Sequence, residues 1–188
     1  MLFQVPLNYS VPISSRNNAS IAIIRIPSLY PSTSQKYKGP IFFNPGGPGD
    51  SGVDFLVGSA KLLHTVIGDA FDIVSFDPRG KCLFVQFISS FNLVCPSGVS
   101  RSIPLVSFFT SDNARDLWSA RASVFNVVNI STNSIGELLA DSRIAGQLAA
   151  ATNYDGYLNY INTDYTARDM LQMTKAYGME KIQYWGIS

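Results

Sequence analysis

The sequence predicts an α/β protein built around a mostly parallel sheet. Short β-branched or aromatic runs alternate with amphipathic helical stretches, and a glycine-rich turn joins the first clear strand to the first helix. A third observation, an isoleucine-rich run preceded by the apolar stretch Leu2 to Tyr9, predicts an antiparallel hairpin at the N-terminus.

Each element has its own signal. Ile21, Ile23, Ile24 and Ile26 are bounded by Asn17-Asn18 and Pro27, which predicts a strand from Ser20 to Pro27. Pro, Ser, Thr and Lys between Tyr30 and Pro40 read as a surface loop, after which Ile41-Phe42-Phe43 is a short buried strand stopped at Asn44-Pro45-Gly46. Phe55, Leu56, Ala60, Leu63 and Ile67 recur at helical spacing between Val53 and Ile67, with Gly68 at the stop, and Phe71 to Phe76 is the next buried strand. Strand, turn, helix and strand make a βαβ unit, which requires parallel pairing. Helices are predicted over Asp112 to Val127 and Ser134 to Ala151, the second opening with the capping pattern Ser134-x-x-Glu137. Thr163 to Tyr177 is a further helix, with Ala167, Met170, Leu171 and Ala176 as its candidate core face and Gly178 as its cap, and Lys181 to Ile187 reads as the following strand.

Composition bounds the function. The chain has 188 residues, 46% apolar and 14% charged, enough for one domain with a sizeable core. Lys and Arg number 14 against 13 for Asp and Glu, so no electrostatic footprint for nucleic acid or an anionic membrane is expected. No apolar run reaches the ~20 residues of a membrane span, and the N-terminus lacks the pattern of a signal peptide. Asn8-Tyr9-Ser10, Asn18-Ala19-Ser20 and Asn129-Ile130-Ser131 nevertheless match the glycosylation pattern of secreted proteins. Cys82 and Cys95 have neither a disulfide-framework count nor metal-ligand spacing, and neither reads as catalytic or metal-binding; no cofactor is expected.

The loop Asn44 to Gly52 admits two chemical readings. Gly47-Pro48-Gly49-Asp50-Ser51-Gly52 fits G-x-G-x-x-G, with Asp77 as the ribose-binding acid of a nucleotide-binding domain. Against this, Pro48 removes a backbone N–H from a loop meant to cradle phosphates, and Asp77 lies 25 residues beyond Gly52, inside a tight Asp77-Pro78-Arg79-Gly80 turn. In the second reading, Gly46 and Gly47 form an oxyanion loop whose missing Cβ atoms let a backbone N–H approach a tetrahedral intermediate. The matching nucleophile is Ser188, the last residue, where Gly186-Ile187-Ser188 begins the G-x-S-x-G pattern of a nucleophile elbow directly after a predicted strand.

Four blocks, in order, resemble the α/β-hydrolase serine peptidases of the prolyl and tripeptidyl aminopeptidase group (family S33), most of all its tripeptidyl-aminopeptidase-like branch. They are Val5 to Tyr9, Phe43 to Gly49, Phe71 to Gly80, and Thr166 to Met170 running on to Tyr184 to Ser188. The resemblance implies an N-terminal portion of an α/β-hydrolase fold with later strands missing, a helical insertion or partial lid over residues 103–160, and secretion of the parent protein. It implies Ser188 as nucleophile, the Gly46-Gly47 turn (through the Gly47 N–H) as half of the oxyanion hole, and Asp77 to Arg79 as a brace for the neighbouring loop. The acid and base of the triad would follow Ser188, so the chain as written is expected to be inactive. His64 precedes the nucleophile within a predicted helix and is expected to be structural or solvated.

The resemblance lapses over Lys81 to Gly98. Removing these residues restores an Asp77-Pro78-Arg79-Gly80-Val99-Ser100-Arg101-Ser102 continuation in frame, which identifies a retained intron as the expectation and leaves Cys82 and Cys95 without a role; a genuine loop insertion is the alternative. The functional expectation is an aminopeptidase acting through an acyl-enzyme on peptides with free N-termini. An esterase on small esters, a nucleotide-binding domain and a catalytically dead binding protein stand as alternatives.

Overall fold

In a computed structural model, residues 1–46, 50–80, 133–153 and 155–187 are described, with scattered positions between 102 and 120. The strands are β1 (Leu2–Val5), β2 (Ala19–Ile26), β3 (Pro40–Asn44), β4 (Asp72–Asp77) and β5 (Tyr184–Gly186). The helices are α1 (Gly52–Ile67), α2 (Ser134–Thr152) and α3 (Thr163–Ala176), with a single 3₁₀ turn at Tyr157–Tyr160. The suspected insertion 81–98 and most of the helix expected over Asp112 to Val127 lie outside the described residues.

The five strands form one sheet in the order β1-β2-β4-β3-β5. β1 pairs antiparallel with β2 and β2 antiparallel with β4, whereas β3 pairs parallel with both β4 and β5. The expected hairpin and βαβ unit are therefore present, but the sheet is mixed rather than mostly parallel. The hairpin inserts β2 between β1 and β4, so one reversed strand creates two antiparallel ladders.

Side-chain parity assigns each helix its face. Ile21 and Ile23 of β2, Phe42 of β3, and Val74 and Phe76 of β4 share a core with Val5, Leu7 and Met173 of α3. On the opposite face Phe43 and Ile73 pack with Leu56 of α1, flanked by Ile24, Ile26, Ile41 and Leu63. The period-2 alternation of a strand thus feeds two cores, and the result is a three-layer sandwich with α1 and α3 on opposite sides.

Three local expectations are corrected. The inward face of α3 carries Asp169, Met173 and Thr174, while Ala167, Leu171 and Ala176 face outward. Met170, the fourth expected core position, does pack against the core; apolar periodicity misplaced the other three because an aspartate and a threonine sit inside. The S-x-x-E cap of α2 is not formed: Asn133 is the N-cap residue, in the right-handed helical region (φ −95°, ψ −9°) and without a side-chain cap bond. A capping side chain works from an extended backbone, which Asn133 lacks. β5 is only three residues long, although the Gln183 carbonyl still accepts from the Phe42 N–H at 2.8 Å. Gly178 does close α3, at φ +72°, its N–H reaching the Lys175 carbonyl at 2.8 Å.

Candidate active site

The sheet grows from β3 toward β4 on one side and toward β5 on the other. The carboxyl ends of β3 and β5 therefore flank a change in strand direction of travel, the place where open α/β sheets hold ligands. The turn leaving β3 is organised by its last residue. Asn44 Oδ1 accepts the Gly46 N–H at 3.0 Å, an Asx turn, and Gly46 takes φ +88°, which a residue without Cβ adopts at little cost. Asn44 Nδ2 donates to the Tyr184 hydroxyl of β5 at 2.9 Å, and the Asn44 carbonyl accepts the Ile187 N–H at 2.9 Å.

The start of α1 is pinned to the end of β4. Ser51 caps the helix, accepting the Asp54 N–H at 3.1 Å from an extended backbone, and its hydroxyl donates to Asp77 Oδ1 at 2.7 Å. The Val53 N–H reaches the same oxygen at 3.3 Å. Gly52 is required here, because a Cβ would lie 2.2 Å from the Phe76 carbonyl oxygen. Asp77 is fully buried in this role. The acid that a nucleotide-binding reading would assign to a ribose is engaged in capping, and two of the α1 N-terminal amides are occupied by the protein's own oxygens, so that reading gains no support.

Beyond Asp77 the chain turns through Arg79, which is 2% exposed. Its guanidinium forms a bidentate pair with Asp169 of α3, Nε to Oδ2 at 2.8 Å and Nη2 to Oδ1 at 2.5 Å. The remaining donors go to the carbonyls of Leu7 (2.8 Å), Pro6 (3.0 Å) and Tyr160 (3.3 Å). Tyr9 donates its hydroxyl to Asp169 Oδ1 at 2.8 Å, and the Tyr9 and Tyr165 rings flank the guanidinium with centroids 5.8 and 5.3 Å from Cζ. Burial pushes the Asp169 carboxyl above its usual range, against the opposing pull of Arg79 and Tyr9, and burial together with Asp169 raises Tyr9. All five guanidinium N–H bonds are used, which is what makes a buried arginine tolerable.

Of the expected site residues, Gly46 lies in the β3 turn, while Gly47 and Ser188 lie outside the described residues. The brace expected of Asp77 and Arg79 is present, and it reaches farther than one loop: it joins the N-terminal segment, the 3₁₀ turn and α3. His64 stands near the C-terminal end of α1, about 18 Å along the axis from Gly52 at ~1.5 Å per residue. It pairs with Asp69 at 3.5 Å, away from the site. Sequence reasoning missed Asn44, Tyr184 and Asp169 as site-building residues. Asn before Pro-Gly was a readable turn signal; nothing local marked Asp169 as a buried partner. Among the described residues no cluster of His, Cys, Asp or Glu is placed to hold a metal, and no helix is long and apolar enough to cross a membrane.

No protein-family model matches the chain. Individual proteins do. The chain is 27% identical over 184 residues to serine protease Hip1 of Mycobacterium tuberculosis, covering 98% of this chain and 30% of that protein. Carboxylesterase B of Mycobacterium tuberculosis is 42% identical over 77 residues, 40% of this chain and 14% of the relative. Tripeptidyl aminopeptidase of Streptomyces coelicolor is 36% identical over 78 residues, again 40% and 14%. The class that fold and similarity define together is α/β, related in sequence to serine hydrolases of the peptidase and esterase kinds. The chain spans less than a third of the length of these curated relatives.

Proposed function

We propose that this chain is the nucleophile-bearing N-terminal part of an α/β-hydrolase serine peptidase, one that releases short peptides from free N-termini. The observation that supports it most is the pairing of β5 with β3. Asn44 lies opposite Gly186 and its carbonyl accepts the Ile187 N–H, so the chain leaving β5 runs beside the Gly46 turn at the carboxyl end of β3 as far as Ile187. In this reading Ser188 Oγ attacks the substrate carbonyl carbon while its proton passes to a histidine contributed by residues beyond 188. The carbonyl oxygen becomes an oxyanion, the C–N bond breaks as the amine leaves with that proton, and water hydrolyses the acyl-serine. The Gly46 N–H is already held by Asn44 Oδ1, so the oxyanion donor proposed is the Gly47 N–H, joined by the N–H of the residue after the nucleophile. Residues 1–188 alone are proposed to be catalytically silent, because an unassisted serine hydroxyl is a poor nucleophile.

The test is fluorophosphonate labelling of the full-length gene product, with the adduct mapped by mass. Ser188→Ala should abolish labelling at unchanged melting temperature; undiminished labelling would overturn the assignment. An esterase remains the second reading, favoured by the similarity of one 77-residue stretch to carboxylesterase B. Relative kcat/KM on tripeptide amides and short-chain esters separates the two.

The domain reading stands as part of the same proposal, with residues 103–160, α2 included, as an insertion or partial lid. Residues 81–98 are proposed to be a retained intron. In support, the chain leaves β4 at Gly80 and is back at the same strand end by Ser102, whose hydroxyl donates to the Asp77 carbonyl at 2.6 Å. Transcript reads joining Gly80 to Val99 are expected; reads that run through the segment without a gap would refute it. Secretion of the parent is proposed from the resemblance and the sequons, of which Asn18 is exposed and Asn8 half-buried. A glycosidase-sensitive mass shift at Asn18 checks it.

A further inference from the structure

The geometry points to Asn44 as the positioning residue of the catalytic turn, a role that rests on the serine-hydrolase reading above. One side chain and its own carbonyl tie together three elements that the reaction needs in register. Oδ1 holds the Gly46 N–H at 3.0 Å and so sets the turn that follows β3. Nδ2 holds the hydroxyl of Tyr184 at 2.9 Å, clasping the short edge strand β5 from the side-chain level. The main-chain carbonyl holds the Ile187 N–H at 2.9 Å, the last backbone N–H before residue 188.

The clasp matters because it holds the C-terminal end of β5, whereas the start of the strand is held through Gln183, whose carbonyl accepts the Phe42 N–H at 2.8 Å and whose Nε2 donates to the Lys38 and Pro40 carbonyls at 2.9 and 3.2 Å. The strand is three residues long and exposed throughout, with Trp185 48% accessible, and its register to β3 spans Tyr184 to Gly186 only. Trp185 stacks on Phe43 at 5.5 Å, which holds the strand against the sheet but does not set its position along it. The directional bonds to Asn44 do so at its C-terminal end, as those of Gln183 do at its start. Gly186 is part of the same device, since a Cβ there would lie 2.8 Å from the Tyr184 ring and displace the hydroxyl that Asn44 grips. Asn44 also leaves the Gly46 N–H engaged and unable to serve substrate, which is why the Gly47 N–H is the donor proposed above.

An asparagine is the residue that does all of this. Its amide supplies one acceptor and two donors on a short, nearly rigid stem, and it closes an Asx turn two residues on. Aspartate keeps the acceptor for Gly46 and can accept from the Tyr184 hydroxyl, whereas alanine keeps neither.

The experiment uses the full-length protein, with Asn44→Ala, Asn44→Asp and Tyr184→Phe each measured for kcat, KM and the rate of fluorophosphonate acylation, alongside thermal melting. Asn44→Ala should lower kcat and the acylation rate together by about 10- to 100-fold, as expected when reacting groups shift by about an ångström. KM should stay within about twofold, since only uniform binding moves KM alone. Asn44→Asp should restore most of the rate, and Tyr184→Phe should lose about threefold, near the net worth of one neutral hydrogen bond. Asn44→Ala with kcat within twofold of the parent, or a loss that Asn44→Asp does not relieve, overturns the positioning role. Failure of the underlying reading is seen separately, as an adduct that maps to a residue other than Ser188.

Discussion

The two lateral halves of the sheet are held in different ways. On the side of β1, β2 and β4, the Arg79–Asp169 pair is almost wholly buried and every guanidinium hydrogen is matched, so three segments distant in sequence are locked at one point. On the side of β5, a short exposed strand is held by one stacked ring and by neutral hydrogen bonds, from Gln183 at its start and Asn44 at its end. A buried ion pair fixes the side that carries no proposed chemistry, and the proposed nucleophile follows a short exposed strand held by neutral bonds. Local stability and function sit on opposite sides of β3.

The strongest way to break this contrast is to remove one partner of the buried pair. Arg79→Met leaves the Asp169 carboxylate buried without its cation and should cost about 3–5 kcal/mol in denaturant unfolding. A cost below about 1 kcal/mol would mean the knot does not hold the closed half together. Next comes the two-sidedness of α3. Met173→Ala opens a void in the core and should cost about 2–5 kcal/mol, whereas Leu171→Gln on the outward face should change stability by no more than about 0.5 kcal/mol. Equal effects would show that the helix is rotated from the position described. Ser51→Ala removes the α1 cap and its bond to Asp77 and should cost about 1 kcal/mol.

The smallest expected effect is at alkaline pH. Tyr37 donates to buried Asp72 at 2.8 Å, and burial together with that carboxylate pushes its hydroxyl up from 10.0 to about 12. Tyr9, on Asp169, moves the same way. The folded state keeps these protons where the unfolded state releases them. The stabilisation is therefore complete below about pH 10 and lost as pH rises through about 12. Melting temperature should be flat to pH 10 and then fall, and Tyr37→Phe should shallow that fall. An unchanged alkaline limb in the variant would remove Tyr37 from the account.

What the amino-acid sequence makes legible is clearest strand by strand. Ile21 to Ile26 and Phe71 to Phe76 were readable as strands because β-branched and aromatic runs are bounded by turn residues, and those are local properties of the chain. The α1 boundaries were readable for the same reason, since a glycine-rich turn precedes the helix and Gly68 stops it. The inward face of α3 was not, because Asp169 is buried only where Arg79, 90 residues away, arrives to pair with it. Nor was the grip of Asn44 on Tyr184, which lie 140 residues apart and meet only through the β3–β5 pairing.

By itself, then, the amino-acid sequence determined the alternation of strands and helices, the glycine turns where backbone must bend or approach closely, and the G-x-S pattern at its end. Hydrophobic period and turn chemistry act over a few residues and need no partner to be read. Tertiary structure alone decided that one reversed strand mixes the sheet, that a charged residue belongs inside α3, and that Asn44 joins the turn to the edge strand. Each of those depends on a hydrogen bond or ion pair closed between segments far apart in the chain. Such a bond has an energy only once the fold has brought its two ends together.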